Sequence, residues 1–254
     1  MTAGASNSEP QGPRRDCPAW TKIEMIFDPG ERERFKAAAH GLRAVGQDAT
    51  GAVLATQEDT DHVKQRFLAR RSERRYDEAP LPLGRLAALL EQLRAVTIDR
   101  KLKYGYGSAG SSYPVQTYLY AKPGRVDHLA AGTWYYHPVQ YRLFAIRPDA
   151  RIESSAHYFE NRAIFESSAF SIFLIGRMDA IAPLYGGKSR DFALIEAGLM
   201  TQALELAATD AGIGLCQIGD LQFARIRDLF DLAPNDLLLH SLIGGPLAHH
   251  LRKA

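Results

Sequence analysis

The stretch Tyr104-Gly-Tyr-Gly-Ser-Ala-Gly-Ser-Ser-Tyr-Pro-Val-Gln-Thr-Tyr118 changes its character along its length. Three glycines and three serines lie among its first nine residues, and aromatic and β-branched residues follow. This pattern predicts a tight loop that leads directly into a β-strand. Glycines let a backbone approach a flat or charged ligand closely, and serines add hydroxyl groups there. A ligand-binding loop and a turn that binds nothing are both compatible with this stretch alone.

The composition is that of an ordinary globular protein. The chain has 254 residues, of which 46% are hydrophobic and 24% charged, and its formal net charge is +2. The small net charge gives no reason to expect a nucleic-acid partner. No run approaches the ~18 apolar residues of a membrane span, so no membrane partner is expected. Two cysteines, Cys17 and Cys216, are too few for a disulfide scaffold and suit a cytoplasmic protein.

The two ends of the chain differ in composition. Residues 1–20 are rich in Gly, Ser, Pro and Arg and lack an apolar core. We expect a disordered leader or a linker remnant there rather than a secretory signal. Residues 21–254 are expected to form a single domain, with a helical extension over about residues 21–58.

An arginine cluster precedes the loop of glycines and serines over residues 104–114, the Gly/Ser loop. Residues 70–75 read Arg-Arg-Ser-Glu-Arg-Arg, with four arginines within six positions. Four cations this close repel one another, and a phosphate is their natural partner because the guanidinium fork matches its oxygens. The alternative is a solvated basic turn that pairs with Glu73, Asp77 and Glu78.

Hydrophobic periodicity predicts further helices and strands. Helices are expected over residues 31–42, 59–69, about 80–93, 191–212 and 223–230. Strands are expected over residues 115–122, 169–176 and 237–243, with a β-hairpin over 132–146 and a loop with one short strand over 43–56. The helix over 191–212 is apolar around most of its circumference, which is typical of burial in a large core or a subunit interface.

Five motifs, taken in order, resemble those of the nitroreductase superfamily of FMN enzymes. They are Arg70-Arg-Ser72, Ser108-Ala-Gly-Ser-Ser-Tyr-Pro-Val-Gln116, Gly132-Thr-Trp-Tyr-Tyr-His-Pro138, Leu184-Tyr-Gly186 and Gly214-Leu-Cys-Gln-Ile-Gly219. The closer resemblance is to the thiazole/oxazole-forming dehydrogenases, and among them to oxidase domains of nonribosomal peptide synthetases. It covers roughly residues 60–246.

The resemblance implies an α+β fold with a mainly antiparallel central sheet flanked by helices. It also implies an intertwined homodimer with FMN at the dimer interface. The residues carried over as cofactor-binding are Arg70, Arg71, Ser72 and Arg74 for the phosphate and ribityl chain, Ser108, Ala109 and Gly110 beside the ring of the partner's flavin, Gln116 near the ring's polar edge, Ile218 and Gly219 over the ring, and Arg252 at the phosphate.

The implied reaction oxidises a carrier-protein-bound thiazoline or oxazoline to the aromatic azole. One proton and one hydride leave the ring, the flavin accepts the hydride, and O2 is the expected final acceptor. Two other functions stay open: an NAD(P)H-dependent reductase of nitro compounds or quinones, and a flavin-free module that docks on a synthetase.

Tyr185 is the candidate catalytic base. Ribosomal-peptide members of the family carry a catalytic Lys-Tyr pair, but here Leu184 occupies the lysine position. A tyrosine has a pKa of ~10, so a base at neutral pH needs a nearby cation. Lys188 is the candidate cation, with Arg190 as its alternative, and a tyrosine that only lines the pocket is the other interpretation. Cys216 is expected to be a packing residue, and no metal is expected.

Overall fold

The computed structural model of the protein describes residues 23–38, 41–43, 52, 61, 64, 67, 68 and 70–247. The chain divides into two units, Met1–Gln57 and Glu58–Ala254. This division falls at the end of the predicted helical extension. The leader predicted over residues 1–20 lies outside the described residues, as does nearly all of the segment 43–56 with its predicted strand. Of the helix predicted over 59–69, residues 61, 64, 67 and 68 are described, and all four are helical.

The first unit contains helix α1 (Pro29–Ala37). It begins before the predicted start at residue 31 because the Asp28 side chain caps it, accepting a hydrogen bond from the Glu31 backbone N–H at 2.7 Å. Proline at the first helical position supports the same start. No α1 side chain is buried.

The second unit is built on a six-stranded antiparallel sheet with the strand order β5-β4-β3-β6-β8-β7. Its strands are β3 (Val115–Ala121), β4 (Gly132–His137), β5 (Arg142–Pro148), β6 (Phe170–Arg177), β7 (Ile213–Ile218) and β8 (Asp236–Pro246). A separate hairpin joins β1 (Ala95–Ile98) to β2 (Lys101–Tyr104). The second unit therefore has the predicted α+β class with an antiparallel sheet.

Between residues 70 and 247, the α-helices of this unit are α2 (Leu83–Leu90), α3 (Glu160–Ser167), α4 (Ala182–Tyr185) and α5 (Ser189–Ala208). Short 3-10 turns cover Glu91–Leu93, Ala109–Ser111, Ser154–Ala156, Met178–Ala180, Gly186–Lys188, Phe223–Arg225 and Arg227–Leu229. None of the helices among the described residues has the length and apolar character needed to cross a bilayer.

Strand β6 lies at the centre of the sheet and is buried along all but its last residue. Its alternate side chains fill two cores because successive residues of a strand point to opposite faces. On one face, Ile172 and Leu174 join a cluster that includes side chains of α2 and α5. On the other, Phe173 and Ile175 join a cluster that includes α3 and the residues around Phe230. The predicted buried strand over residues 169–176 is confirmed.

Two helix predictions about this unit need correction, and two elements were missed. The helix predicted over 223–230 is a pair of 3-10 turns, since Ile226 at φ −123° interrupts helical geometry between them. The long helix covers Ser189–Ala208 rather than 191–212, and Gly212 at φ +65° then turns the chain into β7. Strand β7 and the β1–β2 hairpin were not predicted. The hairpin turn places Asp99 and Arg100 at positive φ without a glycine to signal it.

His157 is a buried polar residue on the α3 side of the sheet. His157 is only 1% exposed, and its ring stacks on that of Phe165 with the ring centroids 4.5 Å apart. Neither ring nitrogen has a hydrogen-bond partner among the described residues. Burial, with a smaller effect from the Lys122 ammonium, lowers the pKa of His157 from 6.5 to about 4. The folded protein therefore holds this imidazole neutral at pH 7.

This lowered pKa predicts a loss of stability in acid. The unfolded chain protonates His157 below its ordinary pKa of 6.5, whereas the folded chain does so only near 4. Stability due to His157 is thus present above pH 6.5 and falls as the pH decreases toward 4, by about 2 kcal/mol between pH 7 and pH 5. Urea denaturation of His157→Leu should lack this part of the pH dependence. His128→Asn, at an exposed histidine with positive φ, should keep it; an equal slope in His157→Leu would contradict the assignment.

Candidate active site

The arginine segment runs along β7. The Glu73 backbone N–H donates to the Leu215 carbonyl at 2.8 Å. The buried Tyr76 hydroxyl donates a bifurcated hydrogen bond to the carbonyls of Glu73 at 2.8 Å and Ile243 at 3.0 Å. Gly214 is required beneath this segment, because a Cβ there would lie 2.8 Å from the Glu73 Cβ. These contacts fix residues 73–76 on the β7–β8 end of the sheet.

The arginines of the segment have different environments. Arg71 pairs with the carboxylate of Glu73, which is 8% exposed, and this is one of the pairs expected of a solvated basic turn. Arg70 and Arg74 are exposed and pair with no carboxylate among the described residues. Burial raises the pKa of the Cys216 thiol, and the positive charge of Arg74 acts against that rise, so Arg74 lies near β7. Ser72 is half-buried between the arginines.

The Gly/Ser loop has an unusual backbone. Gly110, Ser111 and Tyr113 lie at φ +57°, +54° and +45°. A side chain in this region costs about 1 kcal/mol per residue, and such strain is concentrated at functional sites. The Ser108 Oγ accepts a hydrogen bond from the Tyr113 N–H at 2.9 Å and closes the loop. Tyr113 also stacks on Tyr104 with ring centroids 3.9 Å apart.

Tyr185 contacts this loop. A Cβ at Gly110 would lie 2.6 Å from the Tyr185 hydroxyl oxygen, so the phenol lies directly against the glycine. The Tyr185 ring packs edge-on to Phe192 of α5 at 4.9 Å between centroids. The structure therefore brings the candidate base and the candidate ligand loop together within one protomer.

The candidate cations are less closely placed. Lys188 ends the 3-10 turn after α4, and Arg190 is the second residue of α5; both are exposed. Within the described part of the chain, neither donates a hydrogen bond to Tyr185. Leu184, at the position of the family lysine, is 62% exposed.

The remaining predicted site residues lie at the start of β3 and the end of β7. The Gln116 Oε1 accepts a hydrogen bond from the Tyr135 hydroxyl at 2.6 Å. Ile218 is buried, whereas Gly219 is exposed and a Cβ there would meet nothing within 4 Å. The surface above the Gly219 backbone is therefore open. Arg252 lies outside the described residues.

Two strands separate these two groups. In the sheet order, β6 and β8 lie between β3 and β7. Three inter-strand spacings place β3 and β7 about 14 Å apart. The loop that enters β3 and the residues that end β7 therefore occupy separate parts of one protomer.

A small cleft opens beside the first residues of β3. It is lined by Leu93, Tyr104, Tyr106, Val115, Gln116, Thr117, Tyr136 and Pro138. The buried Tyr136 hydroxyl has no hydrogen-bond partner among the described residues. The Tyr136 hydroxyl is thus available to form a hydrogen bond at this cleft. The described residues contain no group of three or more side chains arranged to hold a metal ion.

Glu196 was not predicted from the sequence. It lies on the buried face of α5, is 1% exposed, and its Oε1 accepts a hydrogen bond from the Val115 N–H at 3.1 Å. Burial raises its pKa to about 7, against the opposing effects of the Ser108 hydroxyl and the Val115 N–H. The available signal was one carboxylate within an otherwise apolar helix face, in the run Ile195-Glu-Ala197.

The contact between Gly110 and Tyr185 can be measured by a double-mutant cycle. Gly110→Ala should cost about 1 kcal/mol for the positive φ and about 1 kcal/mol more for the collision with the hydroxyl. In Tyr185→Phe, which lacks the hydroxyl, only the first cost should remain in urea denaturation. Gly124→Ala is the matched control, because Gly124 has φ +66° and nothing within 4 Å of the added Cβ. Equal costs in both backgrounds would mean that the contact is absent.

Comparison with known proteins identifies the family. Residues 67–245, more than half of the chain, match the model of the nitroreductase family. The protein named "Putative nitroreductase MJ1384" from Methanocaldococcus jannaschii is 24% identical over 173 residues, which cover 68% of this chain and 86% of that protein.

Solved structures share the fold at low sequence identity. One is a chain of the E. coli microcin synthetase McbBCD complex with truncated pro-MccB17 bound, at a TM-score of 0.68 and 15% identity, covering 91% of this chain and 86% of that chain. Another is a "putative nitroreductase" from Ralstonia eutropha JMP134, at a TM-score of 0.59 and 20% identity, covering 82% of this chain and 94% of that chain. With the strained loop, the arginine segment and the antiparallel sheet in place, the chain belongs to the nitroreductase family.

Proposed function

We propose that this protein is an FMN-dependent oxidase that converts a carrier-protein-bound peptidyl thiazoline or oxazoline into the thiazole or oxazole. The observation that carries the proposal is the contact of the Tyr185 hydroxyl with Gly110 of the Gly/Ser loop. The fold shared with a chain of a microcin synthetase complex that holds a truncated propeptide supports a peptide substrate.

The residues present fit FMN. Arg70 and Arg74 offer guanidinium groups that no carboxylate among the described residues neutralises, and such groups suit a phosphate. The open backbone at Gly219 can lie against a flat ring, and Ser108 and Gly110 offer a second flat surface. Ser72 would add a hydroxyl donor to the phosphate group. When bound, FMN would supply the two-electron acceptor that azoline oxidation requires.

Tyr185 is assigned to the proton. The α-carbon of an azoline lies beside a carbonyl, so its proton is the acidic one, and the Tyr185 oxygen would receive it. A phenol with a pKa of ~10 needs a cation to serve as a base near neutrality. We assign that role to Lys188, two glycines further along the chain. Gly186, at φ +52°, gives this turn a conformation open to few other residues.

A homodimer would unite the two separated halves of the site. The outer face of α5 exposes Ile195, Leu199 and Leu206 at 61%, 43% and 65%, at helical spacings that place them on one side. Apolar side chains aligned in this way favour a partner surface over water. We assign a second copy of the chain to this face, with the Gly/Ser loop of one protomer facing the β7 end of the other.

The family name supports a second candidate function, an NAD(P)H-dependent reductase of nitro compounds or quinones. Such an enzyme would use the same cofactor site with the opposite electron flow. Rapid bleaching of the bound flavin by NADPH would favour the reductase. A colourless protein that takes up no added FMN would exclude both enzymes and leave a flavin-free docking module.

The proposed reaction predicts a defined product. Incubation of the aerobic protein with a thiazoline thioester mimic should yield a product lighter by two hydrogens, measured by mass spectrometry. Tyr185→Phe should reduce the rate of single-turnover flavin reduction by at least about a hundredfold, the usual contribution of a positioned base. Tyr158→Phe, an exposed tyrosine on another part of the surface, should react normally. A wild-type rate in Tyr185→Phe would remove Tyr185 as the base.

Flavin retention should depend on both halves of the site. Arg74→Ala should lose FMN during gel filtration but remain dimeric, because it removes a phosphate partner only. Ile195→Arg should become monomeric by light scattering and lose FMN as well, since the charge prevents pairing of the α5 faces. Arg100→Ala and Val139→Arg, at exposed positions elsewhere, are the controls. A monomeric Ile195→Arg protein that keeps its flavin would contradict a shared site.

A further inference from the structure

The carboxyl of Glu196 lies beneath the Gly/Ser loop and contacts its far end. Its Oε1 accepts a hydrogen bond from the backbone N–H of Val115, the first residue of β3. The buried Oε2 has no hydrogen-bond partner of its own among the described residues. No lysine, arginine or histidine forms a salt bridge with this carboxyl in the part of the chain that the structure describes. Glu196 is therefore a buried acid that has no counter-ion among the described residues.

Three neighbouring elements face the carboxyl. From β3 comes the Val115 N–H, and from the middle of the loop comes the Ser108 hydroxyl. From the end of β2 and the start of the loop come the phenols of Tyr104 and Tyr106. The pKa of both phenols is raised, chiefly by burial and further by Glu196, so both stay neutral donors at physiological pH. Glu196 is thus the group of this cluster that can change its charge near neutrality.

The Ser108 hydroxyl has only one hydrogen to donate. Its oxygen already accepts the Tyr113 N–H at 2.9 Å. An ionised Glu196 attracts the hydroxyl hydrogen inward, toward the carboxylate. A protonated Glu196 becomes a donor itself and can bond to the second lone pair of the Ser108 oxygen. The Ser108 hydrogen is then free to point outward, toward the side where Gly110 and Ser111 are exposed.

We propose that Glu196 is a positioning residue that sets the direction of the Ser108 hydroxyl, so that this hydroxyl donates to a ligand on the loop only when Glu196 is protonated. The proton comes from and returns to solvent, and no covalent bond changes. The identity of the ligand as the flavin ring rests on the proposed function; the coupling of Glu196 to Ser108 does not.

The charge state of Glu196 can change at physiological pH. Burial raises its pKa to about 7, so both forms are populated there. Because the folded pKa lies above the ordinary value of 4.5, the protonated form is the one that folding favours, and its stabilising effect is lost as the pH rises through 7. Ligand binding that requires the protonated form weakens in the same direction.

Amide NMR of the full chain tests the coupling without any cofactor. Between pH 6 and pH 8, the amide shifts of Val115 and Tyr113 should titrate with a common midpoint close to 7. In Ser108→Ala, Val115 should still titrate and Tyr113 should not. In Glu196→Gln, which keeps the side-chain volume and an acceptor for Val115, neither should titrate. Glu205→Gln, on the exposed side of the same helix and bonded to Gln217, is the matched control and should behave as wild type.

A buried acid with only a structural role would move Val115 alone. A static Tyr113 amide in the wild type, or a Tyr113 amide that still titrates in Ser108→Ala, would therefore overturn the proposal.

FMN affinity tests the consequence for the ligand. Wild-type Kd should rise above pH 7 by up to about tenfold per pH unit, the limit for one linked proton. Glu196→Gln should bind with a Kd that does not change with pH and equals the wild-type value at pH 6. A slope retained in Glu196→Gln would overturn the link between Glu196 and the ligand. A wild-type protein that binds no FMN, with the amide titrations as expected, would refute the cofactor assignment in the proposed function and support the switch itself.

Discussion

The pairing of β6 with β3 on one side and β8 on the other is the constraint on which the second unit depends. Buried on both faces, β6 separates the α2–α5 core from the core around Phe230. It also sets the distance between the loop that enters β3 and the open end of β7. Sequence changes elsewhere can alter the residues that line the loop or the end of β7. A change in the distance between the loop and the end of β7 would require a different strand order.

The candidate site combines strain with rigid support. Three of four neighbouring loop positions, Gly110, Ser111 and Tyr113, use backbone conformations that are costly for side chains. The cost is offset locally, because Tyr113 stacks on Tyr104 and its N–H bonds to Ser108. A loop that is both strained and held in place is pre-organised, so a ligand that binds there does not need to order it.

Much of this arrangement was accessible from residue patterns. Period-two and continuous apolar runs located β3, the β4–β5 hairpin, β6 and β8, and leucine spacing located α2. The family resemblance indicated the α+β class. The contact of Tyr185 with Gly110 and the burial of Glu196 depend on how α4 and α5 pack on the loop, and no local pattern encodes that packing. The β1–β2 turn and the 3-10 turns near Phe230 depend on individual φ values, which weak turn signals do not specify.

The distance between β3 and β7 has a genetic consequence. In the proposed dimer, every site takes its loop from one chain and its arginine segment from the other. Two inactive alleles, one damaged only in the loop and one damaged only at the arginines, would then complement each other. Half of the sites in a mixed dimer would combine an intact loop with intact arginines, while the other half would carry both defects. Activity would return although neither gene encodes a working protein.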